Sequence, residues 1–207
     1  MIKPTLLLIG AGGHARSCID VVEQHGYYRI AGLIGMANEL HSKHFGYEVI
    51  GTDNDLERLI DDHHSALIAI GQIFSSDNRV RIFQRLVKLG FQLPVIVSPS
   101  AWVSPHATIG IGTIIMHGAI LNAGVQVGEN CIVNTRTLLE HDVTLGNQCH
   151  VSTGAILNGN VSVGERSFIG SGSVIREGVV LGKSCFIGMG LSVKSNKADF
   201  TQIIMGD

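Results

Sequence analysis

VGENCI VNTRTL LEHDVT LGNQCH VSTGAI LNGNVS, residues 127–162, is the stretch that decides the fold. Written in sixes, every block opens on Val or Leu. Extended both ways, every sixth position from Val97 to Val193 is Val, Ile or Leu, without exception. Four places after each stands a smaller residue in most blocks, as at Ala107, Thr113, Ala119, Cys131, Ala155, Ser167 and Ser173. Three places after, Gly, Asn or Asp fills ten of the fifteen blocks from 103 to 187, as at Gly112, Gly124, Asn130, Asp142, Gly154 and Asn160.

One geometry explains the three registers. The aliphatic residue points inward from a short strand, and the small residue points inward where a narrow prism has little room. The third position turns the chain, and Gly, Asn and Asp tolerate the positive φ of a tight corner. Three blocks make a triangular coil of 18 residues, so residues 18 apart stack in a column. A sustained internal repeat outranks other sequence signals. Residues 97–207 are therefore expected to form a parallel β-helix. Cys131, Cys149 and Cys185 share one interior column and are expected to be packing residues. Cys18 lies on a helix and reads as structural too.

Residues 1–96 follow a different pattern. Strands are expected at Thr5–Ile9, 28–34 and 66–70, with helices at 15–25, 53–62 and 78–89 and an extended exit at 94–97. Alternating strands and helices imply a parallel sheet with right-handed crossovers, here a Rossmann-like unit about half the size of a full dinucleotide fold.

The bulk numbers fit a packed globular protein: 207 residues, 45% apolar, 15% charged. A formal net charge of −2 gives no reason to expect a nucleic-acid partner. No run approaches the roughly 20 apolar residues of a membrane span. The apolar opening at residues 1–9 meets Gly10-Ala11-Gly12-Gly13 and lacks the parts of a signal peptide, so the default expectation is a cytoplasmic protein.

Two places carry chemistry. His141 stands at a corner between Glu140 and Asp142, either of which could orient its ring. One coil away on either side lie Ala123 and Gly159, leaving a notch where a substrate could sit and where the Gly159 N–H could face a developing oxyanion. The second place is Gly10-Ala11-Gly12-Gly13-His14-Ala15, between a strand and a helix, where anions bind readily. Its match to G-x-G-x-x-G/A is loose. No acidic residue ends the second strand, where Gly35 and Met36 stand, which argues against a nicotinamide cofactor.

The repeat over 97–193 resembles the left-handed β-helix acyltransferases. With the Gly-Gly-His turn and Glu140-His141-Asp142, nearly the whole chain resembles the family of sialic-acid O-acetyltransferases and UDP-4-amino-sugar N-acetyltransferases. That resemblance implies acetyl-CoA as cosubstrate, no metal, and a homotrimer with active sites between neighbouring prisms. It implies His141 as general base, a role open to an imidazole, and it favours Asp142 over Glu140 as the orienting acid. Asn134 matches a polar active-site position, though it also reads as a plain outward residue. His150 is implied to contact acetyl-CoA, with Ser171 and Met189 in one column as a track for the pantetheine arm. Gly10, Gly12, Gly13 and His14 are implied to hold the uridine diphosphate sugar, His14 nearest the reacting end, with Gly71 giving close backbone approach.

Two features depart from the family. Relatives often carry paired Asp where this chain has Gly35 and Met36, and often finish on Gly-x-Pro-Ala where this chain has Gly206-Asp207. The expected reaction is N-acetylation of a UDP-4-amino-4,6-dideoxy sugar in surface-glycan synthesis. Alternatives are O-acetylation of sialic acid or another sugar, and a non-catalytic nucleotide-sugar sensor. A carbonic anhydrase on the same prism needs three converging His. The spacings of His106, His117, His141 and His150 match no such set known to us.

Overall fold

The structure, a computed structural model, describes residues 3–204. The apolar start at Met1 and the terminal Gly206-Asp207 lie outside the described residues. The chain divides into two compact units. Residues up to 71 with 77–96 form the first, and 72–76 with 97 onward the second.

In the first unit, β1 (Thr5–Ile9), α1 (Gly13–His25), β2 (Arg29–Ile34), β3 (Lys43–His44), β4 (Tyr47–Gly51), α2 (Leu56–Leu59), β5 (Ala66–Ile68) and α3 (Asp77–Leu89) follow in order. The sheet runs β3-β4-β2-β1-β5, parallel except for the short β3. β1 is the switch point: the chain leaves it first to β2 on one side and later to β5 on the other. Leu7, Ile9, Ile34, Ala66 and Ile68 pack with Leu56 and Leu59 of α2 and Ile82, Phe83 and Leu86 of α3. Cys18 is fully buried on α1, and burial pushes its thiol up to about 12.

Several sequence expectations shift here. The expected helix over 53–62 is a 3-10 turn, Asp53–Asp55, followed by the single α-turn of α2. Thr52 explains the start: its N–H and Oγ1 both bond Asp55 Oδ2, at 2.8 and 3.0 Å, a reciprocal cap on a tight turn. The β3–β4 hairpin escapes a pattern search because β3 has two residues, and it turns on Phe45 and Gly46, both at positive φ. α1 starts at Gly13, two residues before the expected position, and β5 ends at Ile68, two before. Residues 72–76, expected in the first unit, belong with the second.

The second unit is the triangular prism. Its first face stacks Ile96–Val97, Ile114–Ile115, Ile132–Val133, His150–Val151, Phe168–Ile169, Phe186–Ile187 and Gln202–Ile203. The second stacks Trp102–Val103, Ile120–Leu121, Leu138–Leu139, Ile156–Leu157, Val174–Ile175 and Ser192–Val193. The third stacks Thr108–Ile109, Gln126–Val127, Thr144–Leu145, Ser162–Val163 and Val180–Leu181. Every pairing is parallel and joins residues 18 apart, apart from the last at Gln202. The inward aliphatics form one core, with Leu121, Leu139, Leu157 and Ile175 in a single column.

The small inward residues also carry hydrogen bonds. Thr113 donates to Gly128 O, Cys131 to Gly146 O, Cys149 to Gly164 O, Ser167 to Gly182 O and Cys185 to Ala198 O, at 2.8–3.2 Å. This column therefore calls for a short side chain with a proton to give, because the carbonyl it meets turns inward at a corner. The Cys149 thiol is pushed well up, first by its hydrogen bond with Cys131 and then by burial.

Candidate active site

In the first unit, a cleft of about 740 Å³ opens along the C-terminal ends of β4, β2, β1 and β5. Crevices at such switch points are the usual ligand sites of open parallel sheets, and the size suits a small organic ligand. All seven residues singled out in this half line it: Gly10, Gly12, Gly13, His14, Gly35, Met36 and Gly71.

The glycines do different jobs. Gly10 has φ +127°, and a Cβ there would lie 2.9 Å from Ala69 O, so the backbone itself demands glycine. A Cβ on Gly12 or Gly13 would meet no atom within 4 Å. Those two positions border open cleft at the start of α1, whose cap Gly12 makes no side-chain bond and whose first turn carries no acid. The positive end of the helix dipole favours an anion there. His14 stands over Gly71, 3.6 Å from where a Cβ on Gly71 would be.

The sequence reading missed the rest of the cleft. No acid directly ends β2, but Glu39 folds back to that strand end. Its Oε2 accepts the Met36 N–H at 2.8 Å and sits 2.8 Å from the position of a Gly35 Cβ. Glycine at 35 thus makes room for a carboxylate at the place the expectation left without one. Thr52, Asp53 and Asn54 after β4, and Asn78 and Arg81 on α3, supply further polar lining. Nothing local marks them, since they come from three separate segments.

In the second unit the singled-out residues fall on two edges of the prism. His141, Asp142 and Gly159 lie on the edge between the second and third faces. His141 Nδ1 bonds Asp142 Oδ2 at 2.9 Å, while Glu140 is engaged elsewhere, accepting from Asn122 Nδ2 at 3.0 Å. The notch beside Gly159 is filled by the imidazole: a Cβ on Gly159 would lie 2.5 Å from His141 Nε2. This corrects the expectation of a vacant notch. The space left by glycine seats the base, because the ring tilts along the column once Asp142 holds its other nitrogen.

Asn134, Ser171 and Met189 lie on the other edge, between the first and second faces, at the far end of Leu138–Leu139 from His141. Ser171 Oγ meets Ser152 Oγ at 2.9 Å, and Met189 is 71% exposed. His150 differs from its expected place near an open corner. It is a strand residue, 6% exposed, with Nε2 facing Asn134 Nδ2 at 3.2 Å and Nδ1 on Gln72 O. The amide nitrogen can only donate, so Nε2 accepts and Nδ1 carries the proton. Phe168 packs edge-on against the ring. A single chain therefore does not bring Asn134 and His141 together. Among the described residues no three His, Cys, Asp or Glu side chains gather as a metal site.

Residues 5–86 match the PglD N-terminal domain, 142–177 the bacterial transferase hexapeptide repeats, and 160–195 the hexapeptide repeat of succinyl-transferase. The acetyltransferase domain of PglB from Neisseria gonorrhoeae, solved with acetyl coenzyme A, is 31% identical over 99% of this chain and 97% of its own, with a TM-score of 0.90. A histidine-to-asparagine mutant of perosamine N-acetyltransferase from Caulobacter crescentus, solved with CoA and GDP-perosamine, is 30% identical over 100% of this chain and 99% of its own, with a TM-score of 0.91. WeeI from Acinetobacter baumannii, at 22% identity and a TM-score of 0.86 over 98% of this chain and 97% of its own, shares the fold. A PglD-type α/β unit followed by a left-handed hexapeptide β-helix, in that order and over the whole chain, places this protein in the hexapeptide-repeat sugar acyltransferase family, as an acyltransferase.

Proposed function

We propose that this acyltransferase moves the acetyl group of acetyl-CoA onto the 4-amino group of a nucleotide-linked 4-amino-4,6-dideoxy sugar. The observation that carries the reading is the His141–Asp142 pair. With Nδ1–H given to Asp142 at 2.9 Å, Nε2 is the nitrogen that can take a proton. The neutral amine attacks the thioester carbonyl. His141 Nε2 removes the amine proton as the tetrahedral intermediate forms, the Gly159 N–H faces the oxyanion, and collapse expels the CoA thiolate. The relatives support the donor and the acceptor class, since one was solved with acetyl coenzyme A and another with CoA and GDP-perosamine.

In the first unit the diphosphate would lie at Gly12 and Gly13, the ribose hydroxyls near Glu39, and the sugar toward His14 and Gly71. UDP is the nucleotide implied by the family resemblance. GDP is a second reading, favoured by the GDP-perosamine relative.

The second unit would work as a trimer. Trp102, Ile120, Leu138, Ile156 and Val174 form an outward apolar stripe on the second face, with Trp102 61% and Ile120 40% exposed. That face joins the His141 edge to the Asn134 edge. Three copies facing inward on it would set His141 of one beside Asn134, His150, Ser171 and Met189 of the next. The cytoplasm, where acetyl-CoA and sugar nucleotides are made, is the compartment this reaction requires. Thiol release from acetyl-CoA with a panel of UDP- and GDP-4-amino sugars tests the proposal. Acetylation of a sialic-acid hydroxyl with no turnover of any amino sugar would replace it.

A further inference from the structure

At the β4 end of the cleft stands an ion pair that the chemistry above does not use. Arg81 Nη2 donates to Asp53 Oδ2 at 3.2 Å and to Asn78 Oδ1 at 2.8 Å. Asp53 belongs to the turn after β4 and Arg81 to α3, and both line the cleft. Their side chains are 35% and 59% exposed, a setting in which an ion pair adds little stability. The neighbouring pair, Glu57 with Arg85 at 3.8 Å, repeats the arrangement one helical turn on and outside the cleft. The contact between α2 and α3 rests instead on Leu56 and Leu59 packed with Ile82, Phe83 and Leu86.

Asp55 is already committed. Its carboxylate is held by the Thr52 backbone N–H and hydroxyl, which lower its pKa, and so fixes the turn that presents Asp53. With the diphosphate at the start of α1, β4 lies two strands away, roughly 10 Å at ordinary strand spacing. A ribose and its base span that distance.

We propose that Asp53 and Arg81 read the nucleobase by its lactam edge, an inference that rests on the nucleotide-sugar reading above. Uracil and thymine place N3–H beside O4, and guanine places N1–H beside O6. In each, a ring N–H adjoins a carbonyl oxygen. Asp53 accepts the N–H and Arg81 donates to the oxygen. Cytosine and adenine reverse the order, with a bare ring nitrogen beside an amino group. Against them the carboxylate meets a lone pair and the guanidinium meets a donor. The pair therefore selects keto bases and refuses amino bases, whichever keto base the natural substrate carries.

Calorimetric titration of the full chain with UDP, dTDP, GDP, CDP and ADP, with excess CoA to occupy any site for its own adenine, tests this without turnover. The three keto nucleotides should bind at least about tenfold more tightly than CDP or ADP, the margin typical of a two-point base contact. The ranking of UDP against GDP then names the natural base. Asp53→Asn, checked for an unchanged melting temperature, should erase the keto preference because an amide can present either a donor or an acceptor. Glu57→Gln should keep it. Equal binding of all five, or a preference that survives Asp53→Asn, overturns the lactam reading and leaves the nucleotide-sugar proposal standing. If no nucleotide binds at all, that proposal falls too.

Discussion

The Asp142 carboxylate accepts a hydrogen bond from His141 Nδ1 at 2.9 Å, and two glycines make the pair possible. A Cβ on Gly159 would lie 2.5 Å from His141 Nε2, and one on Gly124 would lie 2.3 Å from Asp142 Oδ1. The ring thus leans over the coil on one side and the carboxylate over the coil on the other. The dyad is built from two adjacent residues, but it needs glycines 18 positions away in both directions.

Replacing His141 with Ala should lower kcat by roughly 10²–10⁴-fold, the usual range for losing a general base. The side chain is 59% exposed and adds nothing to the aliphatic stack, so the melting temperature should stay put. Asp142→Asn should have a smaller effect, since it only orients and tunes the ring. Wild-type turnover by His141→Ala with an accepted amino sugar rules out this mechanism.

Gly159→Ala should remove activity while leaving the prism intact. The added methyl strikes a flexible exposed side chain rather than backbone, so the imidazole swings out and the coil survives. The check is a stopped-time thiol assay beside a urea melt. A fall in stability without a fall in kcat contradicts the seating of the ring described here.

Gly12→Val or Gly13→Val should raise KM for the sugar nucleotide and spare KM for acetyl-CoA, because a Cβ there meets no atom within 4 Å and the new side chain enters cleft space. Gly10→Val should instead destabilise the fold, through its φ of +127° and its contact with Ala69. Initial-rate kinetics and thermal melts separate the two kinds of glycine.

Ile120→Lys places a charge within the apolar stripe of the second face. The expected result is a monomer by light scattering, with a folded circular-dichroism spectrum and no turnover. A fully active Ile120→Lys monomer contradicts the shared site.

Cys149→Ala strips the donor from Gly164 O and should destabilise the protein by about 1–3 kcal/mol, whereas Cys149→Ser keeps a donor and should cost less. The raised thiols also give a sign for pH. A thiol kept protonated when folded but free to ionise when unfolded contributes stability that is fully present below its ordinary pKa of 9.0. That stability is lost as pH rises toward the folded value, about 12 for Cys18. Urea midpoints should fall from about pH 9 upward, and less steeply in Cys18→Ala.

The two halves were unequally legible. Every residue singled out in the Gly-rich half lines the cleft, because a strand, a glycine turn and a helix form a local pattern. Glu39, Asp53 and Arg81 were missed because they reach the cleft from separate segments with no shared spacing. In the prism, the column arithmetic placed His141 next to Gly159, but it read that vacancy as substrate space. Spacing says which positions adjoin and not which way a ring leans. The Nδ1 of His150 is bonded by Gln72, a residue 78 positions earlier whose carbonyl no periodicity could connect to it.

The sequence by itself determined the coil, since an aliphatic residue every sixth place can bury itself only if the chain turns every sixth place. It also marked most corners through Gly, Asn and Asp. The tertiary structure decided the others. Arg136, Gln148, Arg166 and Ser184 take φ from 52° to 62°, against the ordinary preference of such residues. Each gives its N–H to the carbonyl nineteen positions earlier, at 2.8–2.9 Å, as the Gly and Asn corners do. Left-handed backbone costs about 1–2 kcal/mol per residue. That cost is met because leaving the corner would break this bond and lift an inward Val, Leu or Ile out of its column. Propensity places the easy corners, and the stacked neighbours above and below impose the rest.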